Sequence, residues 1–277
     1  MEQGVSGTGA PSRTAMMAAC GRVGHLFNYG ADAMLSDWLA WPLIGSEAET
    51  MLAGLREAFG EVSVRLANWL AARTRISEDW LAASEAKEYV ILGAGLDTFA
   101  WRQPSRGGIR VIEIDHPSTQ AWKRSRIEAL GVSVPSTLTW APVDFEVESV
   151  AAGLERAGVN SDAVFVSWLG VTTYLSLAAI SATLRSLPQC SIAVSYATPE
   201  QTWHGEARAI SREFGAMASA TGEPLISHYM PDEFAAVLAD NGFDVVEDVG
   251  ADEVESRYGP PALAIGDERV ALARSRR

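Results

Sequence analysis

Residues 88–102 read EYVILGAGLDTFAWR, and this stretch decides the fold. EYVIL (88–92) is a short continuous apolar run, the pattern of a strand buried on both faces, and it ends in Gly93-Ala94-Gly95. Glycines at such a place let the backbone turn tightly and approach a ligand closely. A lone GxG is also what a plain turn looks like, so this loop by itself leaves both readings open.

Working outward, the same kind of run recurs as IRVIEI (109–114), TLTWAPV (137–143), AVFVSWL (163–169) and SIAVSYA (191–197). Helical segments lie between the runs, at 117–130, 146–157 and 176–187. Strands alternating with helices predict a parallel α/β sheet, with right-handed crossovers placing helices on both faces. Further on, 200–220 reads as a long helix stopped by Gly222 and Pro224, and 231–243 as a helix ended by Gly242. DVVEDV (244–249) and RVALARS (269–275) close the sheet as its sixth and seventh strands. Before Glu88 the period is helical: Ala, Leu, Met and Trp recur at three- and four-residue steps, as in MLAGLREAF (51–59) and VRLANWLAA (64–72). The expected organisation is a disordered start over 1–11, a helical lid over 12–86 and a Rossmann-like ligand-binding domain over 87–277.

The composition narrows the function. The chain has 277 residues, 48% of them hydrophobic, enough for one large core. Thirty-five acidic against 22 basic residues give −13, so there is no electrostatic case for general nucleic-acid or anionic-membrane binding. Cys20 and Cys190 sit among apolar residues with no metal-ligand spacing and read as packed thiols, with no metal expected. The first residues lack the order of a signal peptide, and no run of roughly 18 apolar residues exists, which points to the cytoplasm.

In an open parallel sheet, ligands bind beyond the carboxyl ends of the strands. Asp115, in EIDHP (113–117), stands 20 residues past Gly95 at the end of the next strand, where an acid typically accepts from ribose hydroxyls. A dinucleotide would require GxGxxG with its diphosphate on the helix N-terminus. Here the third glycine position is Thr98, and Asp97 stands inside the loop, where a carboxylate repels a diphosphate by about 1 kcal/mol or more. S-adenosylmethionine, cationic and without phosphate, suits an acidic loop better. Asp144-Phe145 follows the third strand and reads either as an adenine contact or as a helix cap. The turn Trp168–Tyr174 ends the fourth, with Gly170 permitting close approach.

VILGAGLDTFAWR (90–102), EIDHP (113–117) and WLGVTTYLS (168–176) together resemble the leucine carboxyl methyltransferase family, and within it the bacterial, polyketide-associated branch that includes tetracenomycin-type carboxyl methyltransferases. The resemblance runs from about Ser12 to Val249 and implies the seven-stranded, mostly parallel sheet of class I methyltransferases. It implies S-adenosylmethionine as cofactor, with Gly93, Ala94 and Gly95 on its methionine side, Asp115 on the ribose, and Asp144 and Phe145 on the adenine. It also implies Arg73 on the donor's carboxylate, with Arg75 as a rival, and Arg13 as a second ligand. Many members carry an acid where this chain has Leu169. The donor's ammonium then has to find backbone carbonyls or another acid such as Asp97.

The resemblance implies O-methylation of a small-molecule acceptor, and the net charge of −13 argues against nucleic acid or membrane as partner. A carboxylate is already ionised at pH 7 and needs no base, whereas a phenol with a pKa near 10 needs one. Of the four histidines, His204 is the candidate for the acceptor pocket, ahead of His228; His116 reads as a turn residue. Tyr196 resembles the tyrosine that ends the matching strand in the family, which implies a donor to an acceptor oxygen. Arg102 either binds an acceptor carboxylate or pairs with an acid such as Asp97. Carboxyl transfer is the leading expectation. The alternatives are phenolic transfer, a donor-binding protein that transfers nothing (a pathway cyclase, for example), or a nicotinamide-dependent oxidoreductase.

Overall fold

The computed structural model describes residues 13–102, 108–144, 147–160, 162–203, 205–220, 222–260, 262 and 268–276; the segment 1–11 read as disordered lies outside them. The elements are α1 (Arg13–Tyr29), α2 (Ala40–Ile44), α3 (Glu47–Phe59), α4 (Val62–Ala83), β1 (Glu88–Leu92), α5 (Phe99–Arg102), β2 (Arg110–Asp115), α6 (Pro117–Ala129) and β3 (Leu138–Pro142). They continue with α7 (Val150–Arg156), β4 (Val164–Trp168), α8 (Leu177–Ser186), β5 (Cys190–Tyr196), α9 (Gly205–Ala220), α10 (Pro231–Asp240), β6 (Phe243–Val249), α11 (Ala251–Tyr258) and β7 (Arg269–Ser275). Helix starts follow local chemistry. His116 and Pro117 open α6, and the hydroxyls of Ser149 and Ser176 accept from the first turns of α7 and α8.

The sheet order is β3-β2-β1-β4-β5-β7-β6. All neighbours are parallel except β7, which runs antiparallel between β5 and β6. Strand order reverses at β1 and β4, the position where an open sheet leaves a crevice at its carboxyl edge. This is the mostly parallel seven-stranded α/β sheet expected.

Alternation along the strands splits the core into two layers. Tyr89, Ile91, Val111 and Phe165 face one cluster, which also takes in Met16, Cys20, Leu43, Trp69 and Ile76 from the N-terminal helices. Val90, Leu92, Ile112 and Val166 face the other, shared with α7, α8 and α10. The helical layer therefore has no core separate from that of the sheet. Its two long helices pack tightly: a Cβ on Gly21 of α1 would lie 2.2 Å from Leu70 Cδ1 of α4. Both cysteines are buried, and burial pushes their thiol pKa values up to about 12.

Two features differ from the sequence reading. The stretch 200–220 is not one helix: a 3-10 turn over Glu200–Thr202 precedes α9. The sequence reading does not include α11: its stripe is Ala251, Val254 and Tyr258, of which Val254 alone is fully buried, and over two turns it is too short to stand out. Among the described residues no helix is long and apolar enough to cross a membrane, and no group of three His, Cys, Asp or Glu side chains is placed to hold a metal ion.

Candidate active site

A cavity of about 910 Å³ opens at the carboxyl edge of the sheet, between it and the N-terminal helices. Its floor is the β1 loop. Gly93 (φ 65°) and Gly95 (φ 49°) both adopt left-handed backbone, and their surroundings are equally restrictive. A Cβ at 93 would lie 2.5 Å from Val171 Cγ2, and one at 95 would lie 3.1 Å from Ala15 Cβ. Gly93 and Ala94 donate their amides to Ile114 O at 2.9 and 3.1 Å, which fixes the loop to the end of β2.

Asp115 stands beside that loop. One carboxylate oxygen accepts from the Gly95 amide at 2.5 Å, the other from the His116 amide at 2.7 Å. Each oxygen keeps a further lone pair, the pattern that two adjacent hydroxyls require. Burial raises the Asp115 pKa, and the two amides work against it. Asp97 also lines the cavity, and its carboxylate caps α5 through the Phe99 amide at 2.7 Å. Asp144 lines the cavity with its Oδ2 3.9 Å from His116 Nε2. Phe145, the expected adenine contact, lies outside the described residues.

Arg73 and Arg75 are separated by the structure. Arg75 pairs with Asp79 at 2.8 Å and donates to Met34 O, away from the cavity. Arg73 lines the cavity and is packed against the β4 turn: a Cβ on Gly170 would lie 2.7 Å from its Nη2. Its Nη1 donates to both oxygens of Glu268, at 2.9 and 2.8 Å, and Trp69 Nε1 donates to the same carboxylate at 2.7 Å. Glu268 was not singled out from the sequence. It arrives because β7 is antiparallel: Arg269 pairs with Tyr196 at the carboxyl end of β5, so the residue before it sits at the ligand edge. Leu169 lines the cavity as an apolar side chain, and Arg13 lies at its rim, exposed, on the first turn of α1.

The expected acceptor residues are placed less uniformly. Tyr196 lines the cavity, but its hydroxyl donates to Asp248 at 2.6 Å and its ring stacks on Phe234 at 4.1 Å. Arg102 is not among the lining residues. Its side chain is 4% exposed, pairs with Glu78 through both Nη atoms, and donates from Nε to Thr98 Oγ1 at 2.9 Å. Asp37 accepts from Arg22 Nε at 2.7 Å and from Thr98, and Arg22 Nη2 holds Leu96 O at 2.8 Å. Of the two readings of Arg102, the geometry is that of pairing, with Glu78 as the partner in place of Asp97. His204 lies outside the described residues. His228, ranked below it from sequence, does line the cavity, with its ring 5.9 Å from that of Trp203. Burial lowers its pKa, so the ring is neutral at pH 7. His25 is structural: its Nδ1 meets Asn68 Oδ1 at 2.9 Å, and its Nε2 accepts from the Met34 amide.

The residues fit a nucleoside donor bearing an amino-acid tail. A glycine cradle, a ribose-type acid and an arginine at the switch point share one cavity, and Asp97 makes the loop unwelcoming to a diphosphate.

Comparison with known proteins agrees. The sequence profile of leucine carboxyl methyltransferases matches residues 15–187. YktD of Bacillus subtilis (strain 168), classed among S-adenosyl-L-methionine-dependent methyltransferases, is 27% identical, with 89% of this chain and 91% of that protein covered. A protein of the same class from Mycolicibacterium gilvum (strain PYR-GCK) is 30% identical over 78% of this chain and 72% of its own. Among solved structures, a DUF574 family protein from Streptomyces avermitilis superposes with a TM-score of 0.61 at 14% identity, covering 96% and 98% of the two chains. Magnesium protoporphyrin IX methyltransferase (ChlM) from Synechocystis PCC 6803, with bound SAH, superposes at 0.50 and 13% identity, covering 82% and 95%. With a glycine loop, a strand-end acid and a sheet order that suit this donor, the chain belongs to the leucine carboxyl methyltransferase family and is an S-adenosylmethionine-dependent methyltransferase.

Proposed function

We propose that the chain methylates an oxygen of a small molecule, a carboxylate of a polyketide-like or other secondary metabolite. The bound donor supplies an electrophilic methyl on a sulfonium, whose C–S electron pair stays on sulfur as an acceptor oxygen forms the new C–O bond. Asp115, Arg73 and the Gly93–Gly95 loop hold and orient it, and the helical layer excludes water above it.

The observation that carries the carboxylate reading is the commitment of two polar groups, on Tyr196 and Trp203, on the wall proposed for the acceptor. The Tyr196 hydroxyl is spent on Asp248, and the Trp203 indole N–H on Thr198 O at 3.0 Å. An acceptor ionised at pH 7 reacts in such a pocket without giving up a proton. A phenolic acceptor is the second reading, favoured by one observation: the neutral His228 ring on the cavity wall is a chemically suitable base.

The test is incubation with S-adenosylmethionine and a panel of carboxylic acids and phenols, following demethylated donor and methylated product. Esters from the acids support the proposal; turnover confined to phenols overturns it.

A further inference from the structure

The cavity continues beyond the donor floor, between α1, α3 and α4. The walls there are Met17, Leu52, Leu55, Leu66 and Leu70, all of them apolar. α1 and α4 run antiparallel along it, since Gly21 meets Leu70 and Gly24 meets Ala67. From Gly21 to Asn28, both lining residues, the helix rises about 10 Å. At its outer end the groove changes character. Asn28 and Arg56 line it there and are exposed. Arg56 Nη2 donates to the neutral Asn28 Oδ1 at 3.3 Å, and among the described residues Arg56 forms no ion pair.

Leu66 and Leu70 are buried at the base of this groove and Met17, Leu52 and Leu55 are half-buried along it; an apolar-walled groove beside a methyl donor is a binding surface for something apolar. In a chain of net charge −13, a cation without a carboxylate partner at its mouth is where an anionic group is tolerated. We propose that this groove holds the body of the methyl acceptor. On this reading, which rests on the carboxyl-transfer function above, the acceptor is an elongated acid. Its reacting carboxylate sits at the donor, an apolar stretch of about 10 Å lies along α1 and α4, and a second anionic group reaches Arg56.

The experiment is calorimetric titration of the full chain, with and without SAH, using butanoate, decanoate and decanedioate as probes. Each buried methylene strengthens binding by up to about fourfold, so decanoate is expected to bind at least about tenfold more tightly than butanoate. Decanedioate gains about a further threefold over decanoate from an exposed ion pair. Arg56→Ala removes that last gain and leaves decanoate binding unchanged. Leu55→Trp, which fills the groove, weakens decanoate about tenfold and leaves butanoate and SAH as they were. Equal affinity for short and long acids overturns the proposal, as does a diacid preference that survives Arg56→Ala. If the length pattern holds but S-adenosylmethionine yields no ester, carboxyl transfer fails and the groove stands. If SAH does not bind while the acids keep the pattern, the donor assignment fails instead.

Discussion

The two sides of the cavity are held in place by different forces. The donor floor is pinned at each point by a directed polar bond. Asp115 is fixed by two backbone amides, Leu96 O by Arg22, Arg73 by Glu268, and the Gly170 amide by Ser195 Oγ at 2.7 Å. The side proposed for the acceptor is walled by Trp203, Leu225, His228 and the leucines of the helical groove, and there the Tyr196 hydroxyl and the Trp203 indole N–H bond into the protein. A floor of directed bonds suits a ligand that never changes. An apolar wall carried partly by helices packed onto the sheet can be reshaped by substitution without disturbing the floor.

The largest effect should come from the ion cluster beneath the floor. Arg102→Met leaves the buried Glu78 and Asp37 short of a cation and is expected to lower unfolding stability by about 3–5 kcal/mol, measured in urea. Unchanged stability with a raised acceptor KM would return Arg102 to the acceptor side. Next is Asp115→Ala, which should weaken donor binding about tenfold to a hundredfold by calorimetry, because two hydroxyls lose a charged partner. Unaltered affinity would break the ribose assignment.

Arg73→Ala separates the ends of the donor itself. Affinity for S-adenosylmethionine should fall about tenfold, while 5′-methylthioadenosine, which lacks the amino-acid tail, binds as before. Equal losses would mean that Arg73 only supports Glu268 and Trp69. Tyr196→Phe should cost about 1 kcal/mol of stability through the lost bond to Asp248, with kcat nearly unchanged; a large fall in kcat would place the hydroxyl on the acceptor after all.

The smallest effect concerns pH. Burial holds the folded-state pKa of His228 below its ordinary 6.5, so the folded protein takes up this proton less readily than the unfolded chain. The stability His228 contributes is present above pH 6.5 and declines as pH falls from there towards its folded pKa. With a carboxylate acceptor, kcat should stay flat above about pH 7, since no proton leaves the acceptor. A kcat that tracks His228 titration and is lost in His228→Ala would favour the phenolic reading.

Much of the floor was legible in the sequence because its signals are local. The first two strand runs, the Gly93–Gly95 turn and the acid ending β2 all lie within 28 residues of Glu88, and apolar period and glycine conformation suffice to read them. The partners of these residues were not legible. Arg102 carries no mark that distinguishes Glu78, 24 residues earlier, from the nearer Asp97. α11 spans two turns, too short for the stripe of Ala251, Val254 and Tyr258 to announce it.

What the sequence determined by itself is therefore the alternation of strands and helices, the glycine turn after β1 and the acid that ends β2, since each follows from the spacing of neighbouring residues. Tertiary structure alone decided which side chains meet across the cavity. The reversal of β7 lifts Glu268 to the ligand edge, 195 residues from the Arg73 it binds. The packing of α1 on α4 leaves the groove that ends at Arg56. Contacts of that kind depend on strand order and helix approach, which are set by burial summed over the whole core and leave no periodic trace in the chain.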